Sequence, residues 1–133
     1  MRTMHLNTGW TCEYFEIDPD LYEFQDTRVQ VARLSDWQFA PRFTEGWAVW
    51  IERRFHLSPQ SECVRYHLMI DDLPAQAQLS INGHNLGAIS ASTPIDITDW
   101  VTLDENRIAF RVESGAQGAF GALRLQAVPC ETP

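Results

Sequence analysis

The chain has 133 residues, enough for one domain with a sizeable hydrophobic core and too few for a catalytic barrel beside it. It is 44% hydrophobic, 11% aromatic and 21% charged, an ordinary globular composition that excludes disordered, collagenous and membrane-spanning classes. Ten basic residues, all arginine, against eighteen acidic ones leave a net charge of -8, which repels phosphate backbones and anionic membranes, and the lack of lysine excludes Schiff-base and P-loop chemistry.

Along the chain the prevailing period is two, the signature of half-buried strands. Trp10, Cys12 and Tyr14, then Val29 and Val31, predict strands in the first third, where Glu13, Glu16, Asp18, Asp20, Glu23 and Asp26 cluster. Val49, Ile51 and Phe55 share one face with Arg53, and Trp50, Glu52, Arg54 and His56 share the other, so this strand carries an arginine on its apolar side. Val64, Tyr66, Leu68 and Ile70 form the next alternation, followed by Leu79 and Ile81 running into Asn82-Gly83, a pair suited to a tight hairpin. Ile108, Phe110 and Val112, then Leu123 and Leu125, complete the pattern. Helical spacing lasts for single turns only, near Pro19–Phe24 and Thr98–Val101, and the tail Pro129–Pro133 is expected to fray. About eight short strands predict an all-β, antiparallel jelly-roll sandwich, a single domain over residues 1–133.

Met1–Trp10 has one arginine without the apolar stretch of about 7–15 residues that a signal peptide needs behind it. Cys12, Cys63 and Cys130 are odd in number and far apart, with no CxxC motif. Reduced thiols, no zinc site and a cytoplasmic location are therefore expected.

Several short motifs follow one another in a recognisable order. They are Ser35-Asp36-Trp37-Gln38, Trp47, Ile51-Glu52-Arg53-Arg54-Phe55, Asp72-Leu73-Pro74-Ala75-Gln76-Ala77, Ile81-Asn82-Gly83-His84-Asn85-Leu86-Gly87, Pro94-Ile95-Asp96-Ile97-Thr98 and Glu105-Asn106-Arg107-Ile108. Over about residues 35–128 the chain resembles the jelly-roll sugar-binding domain that precedes the catalytic barrel of family 2 glycoside hydrolases. The resemblance implies a galactose-binding-like sandwich whose loops help to shape the barrel's pocket. Two such loops depart from the family here: Phe43–Trp47 is short, and residues 115–123 are mostly small. No active-site residue is carried over, and hydrolysis by two glutamates of a barrel is not implied for this chain. Taken by themselves, Asn82-Gly83, Gly87 and Asp96 are turn-forming residues first, Asp96 through a carboxylate that can brace a neighbouring turn.

Catalytic constellations are otherwise wanting. Asp71-Asp72 and Asp104-Glu105 are adjacent pairs expected in turns, and no Gly-x-Ser-x-Gly elbow occurs. The four histidines lack metal-ligand spacing. A structural calcium ion is the one metal left open by the abundance of aspartate, but no contiguous loop announces its about six to eight oxygen ligands, so neither cofactor nor metal is assigned. Sugar binding needs exposed aromatic rings beside hydrogen-bonding groups, and Trp47, Trp50, His84, Asn85, Trp100 and Phe120, at strand ends or loops, are the candidate ligand residues. The expected function is non-catalytic carbohydrate binding, with carbohydrate as partner. The alternative is a protein interaction or assembly domain of the same fold, self-associating or joined to a glycoside hydrolase partner.

Overall fold

A computed structural model describes residues 2–17 and 28–130. Ten strands are present among the described residues: β1 (Arg2–His5), β2 (Trp10–Glu16), β3 (Arg28–Val31), β4 (Trp47–Leu57), β5 (Val64–Ile70), β6 (Gln78–Ile81), β7 (His84–Ala88), β8 (Ile95–Asp96), β9 (Asp104–Glu113) and β10 (Leu123–Pro129). The one helical element among the described residues is a 3₁₀ turn, Leu34–Asp36. The expected all-β antiparallel sandwich is found, with short β1 and β8 added to what periodicity revealed. The acidic residues Asp18, Asp20, Glu23 and Asp26, the turn Pro19–Phe24 and residues 131–133 lie outside the described residues.

The strands form two antiparallel sheets, one ordered β1-β10-β5-β8 and the other β3-β2-β4-β9-β6-β7. Alternation along each strand supplies the core between them. Tyr66, Leu68 and Ile70 of β5 and Leu123 and Leu125 of β10 face Trp10, Cys12, Tyr14, Val49, Ile51, Leu79, Ile108 and Phe110 of the larger sheet, all buried. Asn82 (φ 51°) and Gly83 (φ 84°) both take the positive φ of a two-residue hairpin turn between β6 and β7. Gly87 (φ 82°) sits where the β6–β7 register shifts at Leu79/Ser80, a conformation that a side chain would strain.

Arg53, the charge on the apolar side of β4, is accommodated at the sandwich rim. Its Nε donates to the Thr8 carbonyl at 2.6 Å, and burial pushes its pKa below the usual value. Asp96 braces its turn as its sequence setting suggests, accepting from the Thr98 amide at 3.0 Å and from Arg65 Nε at 2.9 Å.

The reduced-thiol expectation is corrected for two of the three cysteines. Cys63 and Cys130 are disulfide-bonded, 67 residues apart. Spacing in sequence concealed this because the pairing is made by the sheet: Val64 is opposite Pro129 in the β5–β10 ladder, which sets the preceding and following cysteines side by side. The end of β10 is thereby tied down, and Cys130 N donates to the Cys63 carbonyl at 3.0 Å. Cys12 is the free cysteine; it is buried, and desolvation raises its pKa to about 12 against a smaller lowering effect of a Trp37 hydrogen bond.

Candidate functional site

On the outer face of the six-stranded sheet, the side chains of its strands that do not enter the core are lined up in rows by the register. Glu13 is opposite Trp50, Trp50 opposite Arg111, and Arg111 opposite Gln78, one row across β2, β4, β9 and β6. The next row runs Thr11, Glu52, Ala109, Ser80 and Asn85. Ala109 and Ser80 are small and buried by their taller neighbours. A trench of about 290 Å³ results, lined by Glu13, Trp50, Glu52, Ser80, Gly83, Arg107 and Ala109.

Aromatic rings extend one wall of this trench. Phe15 stacks beside Trp50, with centroids 6.3 Å apart and planes at 20°, and the Arg111 guanidinium lies 5.5 Å over the Phe15 ring. Arg111 is also bound to Glu113 at 2.9 Å. The wall therefore offers an indole set among carboxylate, amide and guanidinium groups, the combination that can stack a sugar ring and satisfy its hydroxyls.

The sequence candidates are dispersed over the sandwich. Trp50 is half-buried in the trench. Trp47 packs on the core and meets Phe43 at 4.6 Å between centroids, in a cluster that includes Tyr14. His84 and Trp100 come together at the β6–β7 turn, centroids 5.2 Å apart, with Asn82 Nδ2 donating to the Trp100 carbonyl at 2.9 Å. Trp100 is 38% exposed and nearby in sequence Leu103 is 59% exposed. Asn85 is exposed but shapes its own strand, its Oδ1 accepting from the Gly87 amide at 2.8 Å. Phe120 is a correction to the ligand set: only 3% exposed, it fills the core against Phe110 and Trp37, because the small residues around it let the loop fold inward.

Reasoning from sequence missed Glu13, Phe15, Glu52, Ser80, Arg107, Ala109 and Arg111. A signal was present for part of them, since Phe15 and Trp50 share their strand face with glutamates rather than with the apolar set. The two loops singled out by the family resemblance meet at one end of the sandwich, where Phe39, Ala40, Pro41, Phe43, Thr44, Glu45, Ser114 and Gly115 wall an open hollow of about 460 Å³. Among the described residues, no group of three or more His, Cys, Asp or Glu side chains could hold a metal ion.

The described residues thus form an all-β domain, a two-sheet antiparallel sandwich with a trench on the outer face of its broader sheet. The sequence matches no family model and no curated protein. Solved structures identify the fold more narrowly. Faecalibacterium prausnitzii β-glucuronidase superposes with a TM-score of 0.70 at 13% identity, over 96% of this chain and 31% of that one. Bacteroides uniformis β-glucuronidase gives 0.65 at 20% identity, over 96% and 18%. A glycosyl hydrolase family 2 member from Bacteroides cellulosilyticus gives 0.62 at 15% identity, over 96% and 20%. The chain thus has the fold of a small part of family 2 glycoside hydrolases and spans less than a third of the length of each of these enzymes.

Proposed function

We propose that this chain is a non-catalytic carbohydrate-binding module whose ligand rests on Trp50. The observation that carries the reading is the row Glu13, Trp50, Arg111 and Gln78: an accessible indole framed by hydrogen-bonding side chains above a floor of small residues. The fold shared with part of family 2 glycoside hydrolases supports it. In support of a non-catalytic role, the described groups with shifted pKa values serve structure: Cys12 lies in the core, the Tyr14 hydroxyl accepts from the Ala40 amide, Arg53 donates to the Thr8 carbonyl, and Asp96 braces a turn. The Cys63–Cys130 bridge favours an oxidising compartment over the cytoplasm, which suits a polysaccharide ligand.

A thermal-shift screen against about 10 mM mono- and oligosaccharides tests this. A millimolar ligand stabilises by about 1.4 kcal/mol at that concentration, a rise of roughly 3–6 °C. Trp50→Ala should abolish the rise while leaving the unliganded Tm within about 3 °C, since the ring is only partly buried. If no sugar moves the transition, the reading fails.

A second reading, an assembly domain, has its own observation: Trp100 and Leu103 are among the large apolar side chains left exposed, and Trp100 adjoins His84. It requires a dimer, or a complex with a glycoside hydrolase, that Trp100→Ser or Leu103→Ser disperses in sedimentation experiments.

A further inference from the structure

Charge is distributed unevenly around the trench, and the register says where. Glu52 follows Trp50 by two residues on the same face of β4, which places the two about 7 Å apart along the strand. Its carboxylate makes no hydrogen bond or ion pair among the described residues. On the neighbouring strand Arg111 is paired with Trp50, but its guanidinium is held by Glu113 and lies over Phe15. Two further cations on this face are Arg54, two residues beyond Glu52 and held by Glu105, and its β9 partner Arg107, which lines the trench from a backbone position four residues, about 13 Å, along the strand from Arg111. By backbone position, a ring stacked on Trp50 therefore has Glu13 opposite it and Glu52 about 7 Å along the strand, both nearer than Arg107.

Two further effects act in the same direction. The face of an indole attracts cations through its quadrupole. The net charge of -8 adds a long-range field that draws cations and repels anions. We infer that the trench ranks sugars by charge, a pyranoside bearing a protonated amine above its neutral counterpart and the neutral sugar above its uronic acid, with Glu52 as the specificity-determining residue. The inference rests on the carbohydrate reading. Fold analogy with β-glucuronidases would suggest the reverse order, so the two can be told apart.

The test is a two-dimensional NMR titration of the tryptophan indole N–H signals, with Trp50 assigned by Trp50→Leu. The probes are the methyl β-glycosides of glucose, glucosamine and glucuronic acid, and the galacto series, at about pH 6, where such amines are protonated. The expected result is that the Trp50 signal moves with Kd values rising about threefold at each step from amino to neutral to acidic sugar, the differences shrinking in high salt. Glu52→Gln should compress the three affinities to within about twofold of one another. An unchanged ranking in Glu52→Gln, or a uronide bound as tightly as the neutral sugar, overturns the inference while leaving sugar binding intact. Movement of Trp100 without Trp50 also overturns it and relocates the site. No movement of any indole by any probe overturns the inference and the carbohydrate reading together.

Discussion

The side-chain amide of Asn82 donates to Oδ1 of Asn106 at 2.9 Å, joining the β6–β7 turn to the start of β9. Asn106 is almost fully buried and spends its remaining capacity on the preceding loop, accepting from the Thr102 amide at 2.7 Å and donating to the Thr102 carbonyl at 2.9 Å. Asn82 in turn holds the Trp100 carbonyl and, through Oδ1, the Arg107 amide at 2.8 Å. These two asparagines fix the end of the molecule where His84 and Trp100 meet.

Asn106→Ala should therefore cost on the order of 2–3 kcal/mol, because it strands buried polar groups of the loop as well as removing bonds. Urea unfolding should show the midpoint falling, with a Tm lower by roughly 8–12 °C. Near-ultraviolet circular dichroism should change with it as Trp100 loosens from His84.

The disulfide closes a long loop, and its loss should destabilise by about 2–4 kcal/mol, a fall in Tm of roughly 10 °C, read by scanning calorimetry of Cys63→Ser against the native chain. Thiol counting should separate the cysteines. Without reductant the folded protein should label at none of the three sites, because Cys12 is buried with a pKa of about 12; one thiol should appear on unfolding. Rapid labelling of Cys12 in the folded state would contradict the packing.

Asp96 sets an acid dependence. Partial burial raises its pKa, but hydrogen bonds from Thr98 and from Arg65, with the arginine's charge, outweigh that and bring it from 3.8 to about 2. A depressed folded-state pKa stabilises the fold above the unfolded value, and that stability drains away as pH falls from 3.8 towards about 2. The carboxylate is 39% exposed, so solvent screening leaves about 1 kcal/mol. The difference in urea midpoint between native protein and Asp96→Asn should be present at about pH 5 and nearly gone at about pH 2.

How much of this was legible beforehand divides along physical lines. Period-two alternation exposed β2, β4, β5, β9 and β10 because each has one face in the core and one in water. It could not expose β1, where Arg2, Thr3, Met4 and His5 show no clear contrast and pairing with β10 alone makes the strand. Phe120 was misread because it lies in an irregular loop, where no period reports which way a ring turns. The trench was illegible as a unit: Trp50 could be assigned to a polar face, but that Glu13 and Arg111 flank it depends on strand order.

That dependence on strand order has a consequence for the site as a machine. Glu13, Trp50, Gln78 and Arg111 come from four separate stretches of the chain and meet only when β2, β4, β9 and β6 are zipped in register. No fragment, and no half-assembled sheet, can present the complete row. A ligand bridging that row would act as a clasp across the strands, making occupancy of the surface and integrity of the whole sandwich a single cooperative event.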